Sequence, residues 1–373
     1  MARRVPKGDS SAACSILMRT VTRRPVKDAP VMDLLTRPNR RVPVPETGSG
    51  AGHSHQPVLL TEAIQLLAPR PGGRYLDATF GGGGHTRAIL EATEPDGTVL
   101  ALDADPEAIG RARRLADEPS VGDRLRAIAA NFADLADVAR RERMVPFDGV
   151  LLDLGVSSFQ LDTASRGFAF RFDGPLDMRF DPNVGEPAAQ LVNRLDRREL
   201  TDLLFHYGEE PRARRIAEVI TRERERAPIT TTSRLAEIVL AAVGGRRGRD
   251  THPATRTFQA LRIATNDELT TLERALGQAV DVLGPGGRLV TIAFHSLEDR
   301  IVKRFIERES TSCICPPGIP ICVCDHRPRL RRITRRAVRA TLAEVARNPR
   351  SRSAVLRAAE LRVDDGLPER SEG

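Results

Sequence analysis

The sequence predicts an α/β protein with a doubly wound, Rossmann-like sheet interrupted by a helical insertion. Three observations predict it. Strand-like apolar runs alternate with segments of helical spacing between residues 58 and 154, the pattern of βαβ units in a parallel sheet. The first of those runs passes into Gly81-Gly82-Gly83-Gly84, a glycine-rich turn that opens a helix. The alternation then stops between Gln160 and Ala264, and strand patterning resumes only at Arg288.

Order is expected to begin near His55. Val58–Leu67 carries Leu59, Ala63, Leu66 and Leu67 on one helical side. Arg74–Phe80 reads as the first strand, His85–Ala92 as a helix start, Thr98–Asp103 as the second strand and Pro106–Ala116 as a helix. Leu125–Ala130 is a weaker third strand and Phe147–Leu154 a strong fourth. Beyond it, Leu200–Tyr207, Ala213–Arg226, Ser233–Val243 and the stretch from Thr255 onward are patterned as helices. The turn Gly284–Gly287 precedes a strand at Arg288–Phe294, and Val338–Thr341 with Ser353–Leu361 supplies a closing hairpin. The expected organisation is a disordered basic extension at residues 1–52, a discontinuous sheet domain at 53–160 and 265–362, a helical insertion at 161–264, and a disordered tail at 363–373.

The 373 residues are 40% hydrophobic and 29% charged, enough to bury a core and fold. No apolar run reaches the roughly 18 residues of a membrane span. The net charge of +8 is uneven: residues 1–52 carry +6, residues 327–362 carry +10, and the rest is left at about −8. A mildly acidic body with two basic segments suggests contact with a polyanion at particular places, nucleic acid first among them. The plainer reading is that basic tails aid solubility. Residues 1–52 are also Arg-rich and acid-poor as a mitochondrial transit peptide is, but Asp28, Asp33 and repeated Pro weaken that reading.

The junction Asp77–Gly84 is the first chemical signal. Glycine lacks a Cβ, so backbone there can approach a ligand closely. Asp103 ends the second strand twenty residues after Gly83, where a carboxylate accepts hydrogen bonds from ribose hydroxyls. A dinucleotide fingerprint would need a third glycine at Thr86 or Arg87, and no P-loop occurs anywhere. S-adenosylmethionine remains, an adenosine and an amino acid without phosphates. The alternative is that four glycines make only a tight turn.

The segments His55-Gln56-Pro57-Val58-Leu59-Leu60, Asp77-Ala78-Thr79-Phe80-Gly81-Gly82-Gly83-Gly84-His85 and Leu151-Leu152-Asp153-Leu154-Gly155-Val156-Ser157-Ser158 resemble the MraW (RsmH) family, bacterial small-subunit rRNA cytosine-N4 methyltransferases. So do Gly174–Arg179, His252–Ala260 and Phe294–Lys303. The resemblance covers residues 53–362 in unbroken order. It implies a class I SAM-dependent methyltransferase sheet, methyl transfer to the N4 amino group of a cytidine, 16S rRNA within the small ribosomal subunit as partner, and a cytoplasmic location. It leaves the oligomeric state open. It also implies a cofactor site of Gly83, Gly84, His85, Asp103, Phe132, Asp153 and Gln160. The glycine turn, Asp103 and Asp153 follow independently, because ligands of open α/β sheets sit at the carboxyl ends of the strands. His85 alone divides evenly between helix start and ligand contact, and Phe132 alone reads as core.

The cytosine amino lone pair is delocalised into the ring, so an acceptor for its protons would help. Many amino methyltransferases carry Asp/Asn-Pro-Pro-Tyr/Phe after the fourth strand, whereas this chain has Asp153-Leu154-Gly155-Val156. Asp153, Ser157, Ser158 and His295 are therefore catalytic candidates by position only, with Ser296 and Asp299 nearby. Phe168, Phe170 and Phe172 alternate as a core-facing strand would, or as a surface for an unstacked base. Thr255, Gln259, Arg262 and Asn266 share one helical stripe, either solvated or directed at a ligand. Cys313, Cys315, Cys322 and Cys324 form two C-x-C pairs that read as reduced thiols, a structural metal site or redox pairs; catalysis implies no metal. A nucleic-acid-binding module on a degenerate methyltransferase fold is the competing reading, and the intact Gly81–His85 turn with Asp103 speaks against it.

Residues 1–52 lack a periodic apolar face, so little core is expected to depend on them. A truncation starting at Gly52 should keep the melting temperature and methyl transfer of the full chain; a loss of several degrees would contradict this.

Overall fold

The computed structural model describes residues 56–245, 252–318 and 321–363. The expected extension at 1–52 and all but the first residue of the tail at 363–373 lie outside the described residues. The sheet has strands β1 (Arg74–Asp77), β2 (Thr98–Asp103), β3 (Leu125–Ala129), β4 (Phe147–Asp153), β5 (Leu283–Ala293), β6 (Leu330–Arg332), β7 (Val338–Arg339) and β8 (Val355–Leu361). Their order is β3-β2-β1-β4-β5-β8-β6, with β7 also paired to β8. The first five strands are parallel and β8 runs antiparallel to β5, β6 and β7. The chain leaves β1 in one direction towards β2 and β3 and returns on its other side as β4. That reversal opens a crevice at the carboxyl ends of the strands.

The strand sequences are apolar on both faces because helices cover both. Leu76, Leu100, Leu102, Val150, Leu152 and Leu289 point to one side, against α4 (Leu135–Arg141), α11 (Glu268–Asp281) and α12 (Ser296–Glu309). Tyr75, Val99, Ala101, Leu151, Val290 and Ile292 point to the other, against α1 (Leu60–Leu67), α2 (Gly84–Ala92) and α3 (Pro106–Ala116). The two-residue period of a strand produces this division.

After β4 come the short α5 (Ser158–Asp162) and helices α6 (Ala188–Arg194), α7 (Arg197–His206), α8 (Ala213–Arg224), α9 (Thr232–Ala242) and α10 (Thr255–Asn266). They enclose a core of their own, including Leu176, Met178, Leu200, Leu204, Ile216, Ile220, Val239 and Leu261. Asp267 in the left-handed region turns the chain from α10 into α11. Among the described residues no helix is long and apolar enough to cross a membrane.

Two expectations need correction, and one strand had no counterpart among them. Phe168, Phe170 and Phe172 do not form a strand. Phe168 is buried and stacks on Phe180 at 5.6 Å, Phe170 meets Phe258 edge-on at 4.8 Å, and Phe172 is half exposed beneath Arg171. Their alternation reflects an irregular segment crossing the insertion core. The Gly284–Gly287 turn lies inside β5, where the pairing with β4 shifts register; Gly286 takes the positive φ that the bulge requires. β6 was not expected, because Leu330-Arg331-Arg332 offers one apolar residue and two arginines. Leu330 is fully buried, and the strand exists through its pairing to β8.

Gly167 has φ of 72°, and a Cβ there would lie 2.3 Å from the Pro175 carbonyl oxygen and 2.6 Å from the Asp177 nitrogen. Gly167→Ala should therefore destabilise by more than the about 1–3 kcal/mol of a strained residue, read as a lower urea midpoint with unchanged slope. An unchanged midpoint would mean that this crossing is not tightly packed.

Candidate functional site

Three adjacent strands end in carboxyls: Asp103 on β2, Asp77 on β1 and Asp153 on β4. Burial raises both Asp77 and Asp103 to about 6, against hydrogen bonds that pull the other way. Asp77 accepts the Thr86 hydroxyl at 2.6 Å and the Thr79 amide at 3.1 Å. Asp103 accepts the amides of Gly81 and Asp105, each at 2.8 Å, one on each oxygen. Each of its oxygens keeps a second lone pair, the capacity a pair of ribose hydroxyls needs. Burial, then the neighbouring Asp77 and Glu298 carboxyls, hold Asp153 well above the ordinary carboxylate range. Its Oδ1 is buried without a hydrogen-bond partner.

The glycine turn lies between these groups. Gly83 caps α2 with φ of 80°, and a Cβ on it would reach the Phe80 ring at 2.5 Å. A Cβ on Gly84 would lie 2.1 Å from Pro57 Cγ. The turn is glycine because both positions are sterically closed to any side chain. His85, in the first turn of α2, donates from Nε2 to the Val58 carbonyl at 3.2 Å, which leaves Nδ1 3.5 Å from Asp153 Oδ2. It thus joins the segment before α1 to the end of β4. Thr79 completes that junction by accepting the Asp153 amide at 2.7 Å.

Asp105 is the second node. It caps α3 by accepting the Glu107 amide at 3.0 Å, while its Oδ2 accepts Gln160 Nε2 and Arg166 Nη1, both at 2.9 Å. Arg166 goes on to donate to the carbonyls of Arg179 and Phe180. Gln160 also forms a capping box with Ser157 at the start of α5. The structure therefore places Gln160 beside Asp105, and Ser157 with its Cβ 3.7 Å from where a Cβ on Gly81 would stand. Ser158 is buried in the first turn of α5. Phe132 is half buried against the sheet core after β3.

On the β5 side, Arg262 forms a fork to Glu268 at 2.7 and 2.8 Å and approaches Glu298 at 3.9 Å. Burial works to raise Glu298, yet His295 and Arg262 hold its carboxyl below the usual range. His295 Nε2 lies 3.1 Å from Glu298 Oε1, but its N–H is not directed at that oxygen and finds no hydrogen bond. Glu268, His295 and Glu298 cluster closely enough to hold a cation, and Arg262 supplies one. Along the stripe of α10, Thr255 is exposed, while Gln259, Arg262 and Asn266 bond within the protein. Gln259 donates to the Tyr207 carbonyl, and Asn266 clamps Met178 and Phe180. Ser296 donates to Glu209 of the insertion, and Asp299 takes the fork of Arg357.

Sequence reasoning gave no role to Asp77, Thr79 or the Asp105–Arg166 pair. Asp77 was legible in principle as a carboxylate at a strand end facing a glycine turn. Arg166 carried no signal, because nothing local marks it as buried. Among the C-terminal arginines, Arg329 pairs with Asp281 of the acidic body and Arg331 with Glu360 of its own basic segment. Arg332 and Arg336 are exposed.

Residues 52–362 match the MraW methylase family. A protein of Thermomicrobium roseum named ribosomal RNA small subunit methyltransferase H is 59% identical over 313 residues, 84% of this chain and 95% of that protein. One of the same name from Dehalococcoides mccartyi is 52% identical, covering 84% of this chain and 88% of its own length. Another, from Syntrophotalea carbinolica, is 51% identical, covering 82% and 96%. The match runs through the glycine turn, the three strand-end carboxyls and the helical insertion alike, and the chain belongs to the MraW methylase family.

Proposed function

We propose that the protein transfers the methyl group of S-adenosylmethionine to the N4 amino group of a cytidine in 16S rRNA, within the small ribosomal subunit. The observation that carries the cofactor is the crowding of Asp77, Asp103 and Asp153 around a glycine turn. Three carboxyls repel the phosphates of a dinucleotide and favour a ligand with cationic groups. S-adenosylmethionine brings a sulfonium and an ammonium, together with the ribose hydroxyls that Asp103 can accept. The residues present fit the group: the orphaned Asp153 Oδ1 gains a donor, and the closed glycine turn leaves backbone as the contact surface. The names of the relatives and the sequence resemblance support rRNA and the cytidine N4 atom.

The bound cofactor supplies an activated methyl group, so the chain's task is to position and desolvate. Asp103 holds the turn through Gly81 while facing the ribose. Gln160 and Phe132 close the sides near β2 and β3, and His85 steadies Asp153 from behind. Asp153 is our candidate to take the amino proton, since burial beside the Asp77 and Glu298 carboxyls raises its carboxyl and makes its carboxylate a stronger base. Ser157 and Ser158, at the start of α5 just beyond β4, are further polar candidates. His295, locked against Glu298 behind Arg262, positions the β5 end of the site rather than facing it. Towards the RNA, one shallow pocket is lined by Lys303, Ile306, Glu307, Arg332, Thr334, Arg335 and Arg357; Lys303 lies 3.8 Å from Glu307 and Arg357 is forked to Asp299, while Arg332 is exposed and suited to backbone phosphate.

Methyl transfer from labelled S-adenosylmethionine into small subunits lacking the modification, followed by nucleoside mass analysis, should yield N4-methylcytidine only with the active protein. A different methylated nucleoside would refute the acceptor assignment. Asp103→Ala should weaken cofactor binding by at least roughly 1.5–3 kcal/mol, the value of hydrogen bonds to a charged group, in calorimetry. Wild-type affinity in that variant would sink the placement. The ionised carboxylate is the better acceptor, and protonation competes below about 6. Wild-type affinity should therefore climb as pH rises through that value and level off above it. Replacing Arg332 and Arg336 by Gln should flatten the salt dependence of RNA binding by about 1.4 in log–log slope, at about 0.7 per phosphate on single strands. An intact slope would show that the phosphate contacts lie elsewhere.

A further inference from the structure

The segment between α12 and β6 has no part in the site above, and its composition is odd for a loop. Cys313-Ile314-Cys315 and Cys322-Val323-Cys324 flank the turn begun by Pro316-Pro317-Gly318. The apolar residues point outward: Ile321 is 74% exposed and Val323 71%. The sulfurs nevertheless converge. Cys315 and Cys322 Sγ are 3.9 Å apart, Cys322 and Cys324 3.5 Å, Cys324 and Cys313 4.0 Å, and all four lie within 4.8 Å of one another. No hydrophobic burial accounts for this convergence.

We propose that these four thiolates bind one structural zinc ion. A tetrahedron with Zn–S bonds of about 2.3 Å has sulfur–sulfur edges of about 3.8 Å, which the observed separations bracket. The backbone is arranged as such a site needs. The amide between the first pair, Ile314, donates to Cys324 Sγ, and the amide between the second pair, Val323, donates to Cys315 Sγ, both at 3.4 Å. The Cys315 amide donates to Cys313 Sγ at the same distance. Amides directed at sulfur favour thiolate over thiol. The two C-x-C pairs thus hold each other reciprocally, which compensates for spacers shorter than the usual two to four residues. Four protein ligands leave no open position, so the ion is structural. It ties the end of α12 to the strand that carries Arg331 and Arg332. This loop lies at the far end of α12 from His295, about 21 Å along a 14-residue helix at 1.5 Å per residue.

The full chain with Cys14→Ser, purified without chelator, should contain one zinc per chain by elemental analysis. Its four remaining thiols should resist a thiol reagent until a strong chelator is added. Cobalt(II) in place of zinc should show the intense visible bands of tetrahedral thiolate coordination. Cys322→Ser with Cys324→Ser should lose the metal while keeping wild-type affinity for S-adenosylmethionine, which separates loss of the ion from loss of the fold. Four freely reactive thiols without metal, two disulfides by mass, or zinc retained in the double variant would each overturn the assignment.

Discussion

The buried ion pair between Asp105 and Arg166 is the contact on which the arrangement of this protein turns. Their side chains are 2% and 10% exposed, and the contact is 2.9 Å. Asp105 belongs to the sheet: it caps α3 and lends its amide to Asp103, the carboxyl at the end of β2. Arg166 belongs to the insertion, where it gathers the carbonyls of Arg179 and Phe180. Asn266 binds the same segment from α10. One ion pair thereby connects the strand ends that form the cofactor crevice to the helical layer beside it. A buried pair of this kind contributes little net stability over an apolar substitute, but breaking it leaves a buried charge uncompensated. Its use here is to fix one geometry.

Around that frame the site is electrostatically unrelaxed. Asp77, Asp103 and Asp153 all sit above their ordinary range because burial disfavours three neighbouring anions. A folded chain gains nothing from such a cluster by itself. Bringing these carboxyls back towards their ordinary range requires compensating positive charge or donors, and a sulfonium ligand with hydroxyls supplies both. On the β5 side Arg262 pairs with Glu268 and approaches Glu298; His295 and Arg262 hold Glu298 below its usual range, while burial still keeps Glu268 above its own.

Much of the fold was legible because it rests on periodicity. β2 and α3 match their expected bounds, and the sheet's two apolar faces are written in alternating strand residues. The glycine turn was legible as a close approach of backbone, since only Gly avoids Phe80 and Pro57 at positions 83 and 84, and Asp103 was legible as a carboxyl at the end of β2. What could not be read was context. β6 has too little apolar content to announce itself and depends on β8. The three phenylalanines mimic a strand while following an irregular path. The polar stripe of α10 looks solvated, yet Gln259 and Arg262 bond within the protein and Asn266 is bound into the segment around Phe180. The partners of Arg166 and Arg262 lie far away in sequence or on another helix, and no local pattern encodes them.

The central claim is that the Asp105–Arg166 pair holds the cofactor crevice in its binding geometry. The decisive measurement is the affinity of Arg166→Met for S-adenosylmethionine, at a temperature where circular dichroism shows the variant folded. The account predicts a loss of about 3–5 kcal/mol in stability together with cofactor binding at least about tenfold weaker, although Arg166 itself need not touch the ligand. Wild-type cofactor affinity in a folded, destabilised variant would contradict it.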